Sequence, residues 1–485
     1  MVTPSVLSRT TTLSRVPTLN AEHVRVRGSV VEPLSSRGWM VWRALRPPGP
    51  DEYPESDAST ITNSQASIES NIREGIDGKL GAKSPFLTSS FSVLHITLSV
   101  LGGALSSGFL IAGGFTIFCA GPGGALVAFA LTMLALYAVM TSLMELRCVI
   151  PDNVPYYLFS AHVLGQTVGA ASAWNYWLMW ISIITYEVAA FGHILHFWVP
   201  HVHPAVWCVP MFLCCFAIVI INTKYYTVAE HSFTMLKLCG ILVALICGSL
   251  IAAGKLGDHK YGLENWHQGD APFVGGALGV ACAAVYSGFS IVGAEAAATM
   301  ALRTCTPRGR PLFDCCAALY VSSALLQDLA MRSLAPRFLR KPLGQGQGQE
   351  FSVYCLIVGS VVALTLWGLS NIGTKYSLSI IAGAIGVSGY IMWGLVAIMH
   401  CKIRWTKKFR NVAKSLDGMY RAWLFPVGPI FCLAYVISAL GGVIWVAVWL
   451  GFLVDMFLLA TSQLIVFIIL LIVAATVQYF GYCRC

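Results

Sequence analysis

Charge is scarce in this chain. Asp, Glu, Lys and Arg together make up 11% of its 485 residues, against about a quarter in an ordinary soluble domain. With 56% hydrophobic residues, a soluble globular domain is excluded and a polytopic, all-α membrane protein is expected. Metal and cofactor signatures are missing too: no cysteine pair has zinc-ligand spacing with histidines nearby. No apolar run carries a HExxH, a Ser/Lys or an Asp/Asp pair at reactive spacing, which argues against an intramembrane enzyme. Met1 leads into Val-Thr-Pro-Ser without an apolar core, so no cleaved signal peptide is expected and the first span directs insertion. The net charge of +9 reflects basic loops and implies no nucleic-acid partner. Most of the sixteen cysteines lie in apolar runs and read as small hydrophobes. Cys483 and Cys485, past the last run, fit palmitoylation of juxtamembrane thiols.

Ten long apolar runs are present: 94–118, 123–146, 170–198, 204–222, 232–254, 273–298, 351–370, 376–400, 424–447 and 452–480. Each approaches the ~20 residues a membrane helix needs. Residues 1–88 are polar, rich in Ser, Pro and Arg, and read as a disordered cytoplasmic tail. The transmembrane parts are 89–298 and 351–480, separated by 299–350 and followed by a short tail at 481–485. Lys and Arg collect between Arg303 and Lys341 and between Lys402 and Arg421, whereas the loop 199–203 has none. Ten spans from a cytoplasmic N-terminus put both clusters inside, and both termini with them. Leu312–Leu326 is too short to cross and is expected to be buried, re-entrant or interfacial.

Two of the runs are interrupted. Leu101–Leu110 holds three glycines and two serines. Glycine costs roughly 0.8–1 kcal/mol against alanine in a helix, and serine hydroxyls compete for backbone hydrogen bonds. The sixth run repeats the pattern at Ser287, Gly288, Ser290 and Gly293. Small residues can serve close helix packing. Matching breaks in the first and sixth spans favour instead a broken-helix transporter site, where freed N–H groups suit a carboxylate and freed carbonyls an ammonium.

The order Gly102-Gly103-Ala104-Leu105-Ser106-Ser107-Gly108-Phe109, Ala120-Gly121-Pro122-Gly123-Gly124, Glu145 with Pro151, Trp174-Asn175-Tyr176-Trp177 and Phe289-Ser290-Ile291-Val292-Gly293-Ala294-Glu295 resembles the amino acid–polyamine–organocation (APC) permeases, in their fungal form. The resemblance covers 91–310 well and 323–480 more loosely. It implies a five-plus-five inverted-repeat (LeuT-like) fold that carries amino acids or related amines across the plasma membrane, with a proton as coupling partner and no cofactor. It implies that the backbone around Gly103, Ser106, Ser107 and Gly108 holds the substrate carboxylate. The helix-six backbone near Phe289, Ser290 and Gly293 would take the amino group, with Phe289 as an aromatic lid. Many members have Ile-Gly-Thr-Gly where this chain has Leu105-Ser106-Ser107-Gly108.

Charges inside the runs are then weighed. Glu187 sits well within the third span, at a cost of at least ~2.5 kcal/mol on insertion scales, and faces the cavity or forms a structural hydrogen bond. Lys237 either snorkels to the surface or, as Phe233-Thr-Met-Leu-Lys237 resembles the helix-five segment of proton-coupled members, couples a proton. Glu295 resembles an acidic gate and could equally close a helix end. Glu145 and Glu230 stand near helix ends and are expected to be solvated; the histidines at 193, 196, 201 and 203 are expected at the interface. APC permeases usually have twelve spans. Arg303–Arg308 resembles the exit from helix six and 323–336 the inner end of helix eight, so the seventh and most of the eighth helix are expected to be missing. Three functions follow: a permease, a non-transporting amino acid sensor, or an inactive shortened permease.

Overall fold

The computed structural model describes residues 108–150, 156–221, 223–257, 259–267, 269–295, 314–340, 352–372, 377–406, 420–449 and 454–482. The tail 1–88, the core of the first span with Gly103, Ser106 and Ser107, the segment Arg303–Arg310, Lys407–Lys414, Cys483 and Cys485 lie outside these residues.

All regular structure among the described residues is helical. A π-helical turn at Gly108–Ala112 leads into α1, Gly113–Val149. Then come α2 (Phe159–Val163), α3 (Gln166–Trp198), α4 (Ala205–Ile221), α5 (Thr223–Ala252) and α6 (Gly276–Ile291). The remainder is α7 (Asp314–Met331), α8 (Val353–Ile372), α9 (Ser377–Trp405), α10 (Val427–Trp449) and α11 (Val454–Tyr482). Among the described residues, seven stretches are long and apolar enough to cross a membrane, and Ala205–Ile220, Gly276–Ile291 and Ala318–Met331 are shorter apolar helices.

Between the expected spans 94–118 and 123–146, of which the first is described only from Gly108, α1 joins two helices through a sharp kink. Gly121 takes φ 72° and ψ 176°, and Pro122 after it has no N–H to continue the ladder. The kink makes room for another chain segment. The amides of Gly123 and Gly124 donate to Pro272 O at 3.0 and 3.2 Å, and Val274 N donates to Ala120 O at 3.0 Å. A Cβ on Gly121 would stand 2.7 Å from Pro272 O. With Ala120, Ala128 and Ala283 buried between them, α1 and α6 approach as closely as small residues permit.

The helices pack in two groups that share α9. In one, α1, α6, α9 and α10 pack on one another; in the other, α3 is surrounded by α4, α7, α8, α9 and α11. Of the three expectations for 312–326, the structure gives burial: Ala318, Leu319, Val321, Leu325, Leu326, Leu329 and Ala330 of α7 are all inside. At its end Asp328 accepts hydrogen bonds from Tyr157 OH and Arg332 Nε, each 2.8 Å. Helix α5 is the exception. It packs on α4, and its stretch from Met235 to Ala252 has no buried residue.

Polar pins cross the apolar core. Thr132 Oγ1 bonds to Ser287 Oγ at 2.6 Å and to Tyr435 OH, whose hydroxyl lies 3.1 Å from Tyr390 OH; Tyr390 donates to Ala284 O. Asn175 Nδ2 donates to Ser388 O at 3.2 Å. Side-chain hydrogen bonds between membrane helices average only about 0.6 kcal/mol. These pins therefore fix the register of α1, α6, α9 and α10 more than they supply stability.

Candidate functional site

The sixth helix does break, four residues later than its small-residue cluster begins. Helix α6 stays regular through Ser287 and Gly288 and stops at Ile291; Val292 turns to φ −58°, ψ 135°, and Gly293 takes φ 107°. That left-handed φ is open to glycine and strained for other residues. The N–H of Gly293 is taken by Glu295 Oε2 at 3.0 Å, and Glu295 is fully buried. In this conformation the residue expected as a gate closes the break with its own carboxylate.

The break in the sixth span touches the first span at Gly108. Ser290 Oγ lies 2.8 Å from the carbonyl of Gly108 and 3.0 Å from that of Tyr286, its one proton shared between them. Gly108 opens the π-helical turn, whose geometry already departs from the α-helical ladder, a form that recurs at functional sites. Thus Ser290 is spent on joining the interrupted helices, and the groups it leaves for a ligand are those of the backbone beside it.

Aromatic side chains of α3 reach this junction. Tyr186 packs edge-on to Phe289 with ring centroids 4.7 Å apart. Trp180 comes within 3.8 Å of the position a Cβ on Gly293 would hold. Among the described residues, the Tyr186 hydroxyl and the Trp180 Nε1 are buried without a hydrogen-bond partner. Glu187, next in the chain, is half-buried.

Of the residues expected at a site, the structure brings Gly108, Phe289, Ser290, Gly293 and Glu295 together; Glu187 is the chain neighbour of Tyr186, which packs on Phe289. Lys237 is half-buried on α5, apart from this cluster. Gly288 serves packing, since a Cβ there would stand 2.6 Å from Tyr390 Oη.

One expectation is reversed. Glu145 is 4% exposed, where solvation is expected. Its Oε2 accepts from Arg404 Nη2 at 2.8 Å, from the Ala422 amide at 2.8 Å and from His400 Nε2 at 3.1 Å. His400 Nδ1 lies 2.9 Å from Ser142 Oγ, and the Arg404 guanidinium stacks over Phe425 at 5.1 Å. The end of α1 is covered by α9 and the lead into α10, so nearness to a helix terminus is no guide to exposure. His400 and Arg404, one helical turn apart on one face, are the sequence signal for that cover. Tyr186 was legible only as the neighbour of Glu187.

The break after α6 and the π-helical turn at Gly108 meet at a serine–carbonyl contact inside an apolar helical bundle. Residues 95–310 match the family described as amino acid permease. The permease match takes in α1 to α6 whole, and with them both breaks and the α3 aromatics. The chain is similar to the lysine-specific permease LysP of Escherichia coli K12, with 24% identity over 417 residues, 72% of this chain and 85% of that protein. It is similar to the general amino-acid permease GAP2 of Candida albicans, 29% over 259 residues, 53% of this chain and 43% of the relative, so it spans less than half of that fungal protein. The histidine permease HisP of Lactococcus lactis subsp. cremoris matches at 23% over 411 residues, 70% of this chain and 84% of HisP. The family matched over 95–310 is one of transporters with the APC fold, and not of enzymes.

Proposed function

We propose that this chain binds amino acids or related amines between its first and sixth spans and moves them, with a proton, across the plasma membrane. Both termini are then cytoplasmic, as the basic clusters at 303–341 and 402–421 require. The observation that carries the reading is the contact between Ser290 Oγ and Gly108 O, which brings the sixth-span break against the first span where its small-residue cluster ends. Backbone N–H and C=O groups freed there supply the carboxylate and ammonium sites that a zwitterion needs. Relatives named for lysine, for histidine and for amino acids in general leave the side chain of the substrate open.

Gly108→Leu tests the site. A branched side chain at the first break fills the space a carboxylate needs, so binding of labelled amino acid by the purified protein should vanish while the protein still inserts. Wild-type binding by Gly108→Leu would remove the first span from the site.

A second reading, a shortened permease that binds without transporting, is favoured by α5. Among the described residues its membrane-length stretch packs on α4 and has no buried residue, which fits a missing seventh helix. The LysP alignment also runs over 417 residues while taking in 72% of this 485-residue chain. Fewer residues of this chain than of LysP fill it, which agrees with an internal gap.

A further inference from the structure

The last turns of α6, up to its break, are seated on one face of α9. Gly386, Gly389 and Tyr390 stand at i, i+3 and i+4, a spacing that puts all three on the same side of a helix. Each meets α6 at a different point. A Cβ on Gly386 would stand 2.3 Å from Val285 O and 3.2 Å from Phe289 N, so backbone lies against backbone where the ladder reaches Phe289. A Cβ on Gly389 would stand 2.1 Å and 2.8 Å from the two methyl carbons of Val292. The Tyr390 ring fills the space beside Gly288, and its hydroxyl donates to Ala284 O.

Val292 is the residue at which the chain leaves the helical path, with ψ 135°. Its side chain occupies a notch that exists because residue 389 has no side chain. The notch is braced from behind. Ser388, on the far face of α9, is tied to α3: Asn175 Nδ2 donates to Ser388 O at 3.2 Å, and Ser388 Oγ donates to Asn175 O at 3.3 Å. On the other side, the Tyr390 hydroxyl lies 3.1 Å from that of Tyr435 on α10. Helices α3 and α10 therefore hold α9 in register while α9 holds the end of α6. Small residues in a membrane helix ordinarily serve close approach alone. Here the closest approach coincides with the turn itself, between Phe289 and Gly293.

We propose that Gly386, Gly389 and Tyr390 are positioning residues for the substrate: α9 fixes the break of α6, and with it the backbone groups that take the amino group. This rests on the amino acid site proposed above. A methyl group added at 389 is accommodated by displacing Val292, and displacing Val292 moves the turn. A ligand must then restore the turn against that strain, so the strain is read as lost affinity.

Equilibrium binding to the purified full-length chain tests the assignment whether or not the chain transports. Each of the twenty amino acids, labelled, is bound to the wild type, and the tightest serves as the probe. Gly389→Ala should weaken its binding at least about tenfold, the scale of overpacking. In a Val292→Ala background the same change should cost less than about twofold, because the methyl carbons it meets are gone. A general loss of packing would not be relieved at that one position. Gly394→Ala is the control on the same helix: its Cβ would meet only Val436 Cγ1, at 4.0 Å, and affinity should not change. Wild-type affinity in Gly389→Ala, or an equal loss in both backgrounds, overturns the positioning role and leaves the amino acid site standing. Binding of none of the twenty by folded wild type overturns the amino acid site, and this role with it. Should Gly389→Ala fail to fold, Tyr390→Phe decides. It keeps the ring and loses the bond to Ala284 O, so affinity should fall several-fold, and an unchanged affinity overturns the role.

Discussion

Single residues in this protein act through what lies opposite them. Four small residues of the sixth span look alike in the sequence, yet each has a different role. Ser287 pins α6 to Thr132, Gly288 admits Tyr390, Ser290 joins Gly108, and Gly293 makes the turn. The packing account and the broken-helix account of such residues are both right, each for different positions. Glu145 shows the same dependence with larger consequences. Removing one partner of a buried ion pair costs about 3–5 kcal/mol, because the other charge is left behind. Glu145→Ala should therefore lower the thermal unfolding midpoint in detergent sharply, with Arg404 and the Ala422 amide losing their acceptor. His400→Gln, which keeps a polar group on the same turn, should cost much less. A midpoint unchanged in Glu145→Ala would return this carboxylate to the solvated role.

At the scale of elements, hydropathy finds the helices and neighbours set their fates. The runs at 170–198, 376–400 and 424–447 become α3, α9 and α10 nearly as expected, since twenty apolar residues have few alternatives to a helix in lipid. The kink at Gly121 and the stop at Ile291 were foreshadowed by glycine and proline, but their positions answer to Pro272 and Glu295. Helix α7 shows the limit most plainly: its fifteen-residue apolar core left three fates open, and burial against α3 chose among them. Helix α5 bears on proton coupling. If Lys237 exchanges its proton during the cycle, Lys237→Ala holds one electrostatic state and uptake should lose its pH dependence. A wild-type pH profile in that variant would assign Lys237 to snorkelling along the exposed α5.

For the whole molecule, the two packing groups have different degrees of completeness. The group of α1, α6, α9 and α10 is closed by the Thr132, Tyr390 and Tyr435 hydroxyls, whereas, among the described residues, α5 packs on α4 and has no buried residue from Met235 to Ala252. A centre that is assembled and a wall that is thin predict binding without turnover. Purified protein in liposomes should bind amino acid saturably yet accumulate little of it, and sequencing the transcript across the codons for 310–321 should show whether a longer form exists. Robust saturable uptake by this exact chain would refute the shortened-permease reading. The sequence by itself determined the membrane class, the helical fold, the interruption of the sixth span and the kinship with permeases, because hydropathy, glycine content and motif order are local along the chain. Only the tertiary structure decided that Glu145 is buried, that Tyr186 stands against Phe289 and that Ser290 meets Gly108. Those contacts join residues 103 to 277 positions apart, and a contact across that distance exists only once the helices have packed.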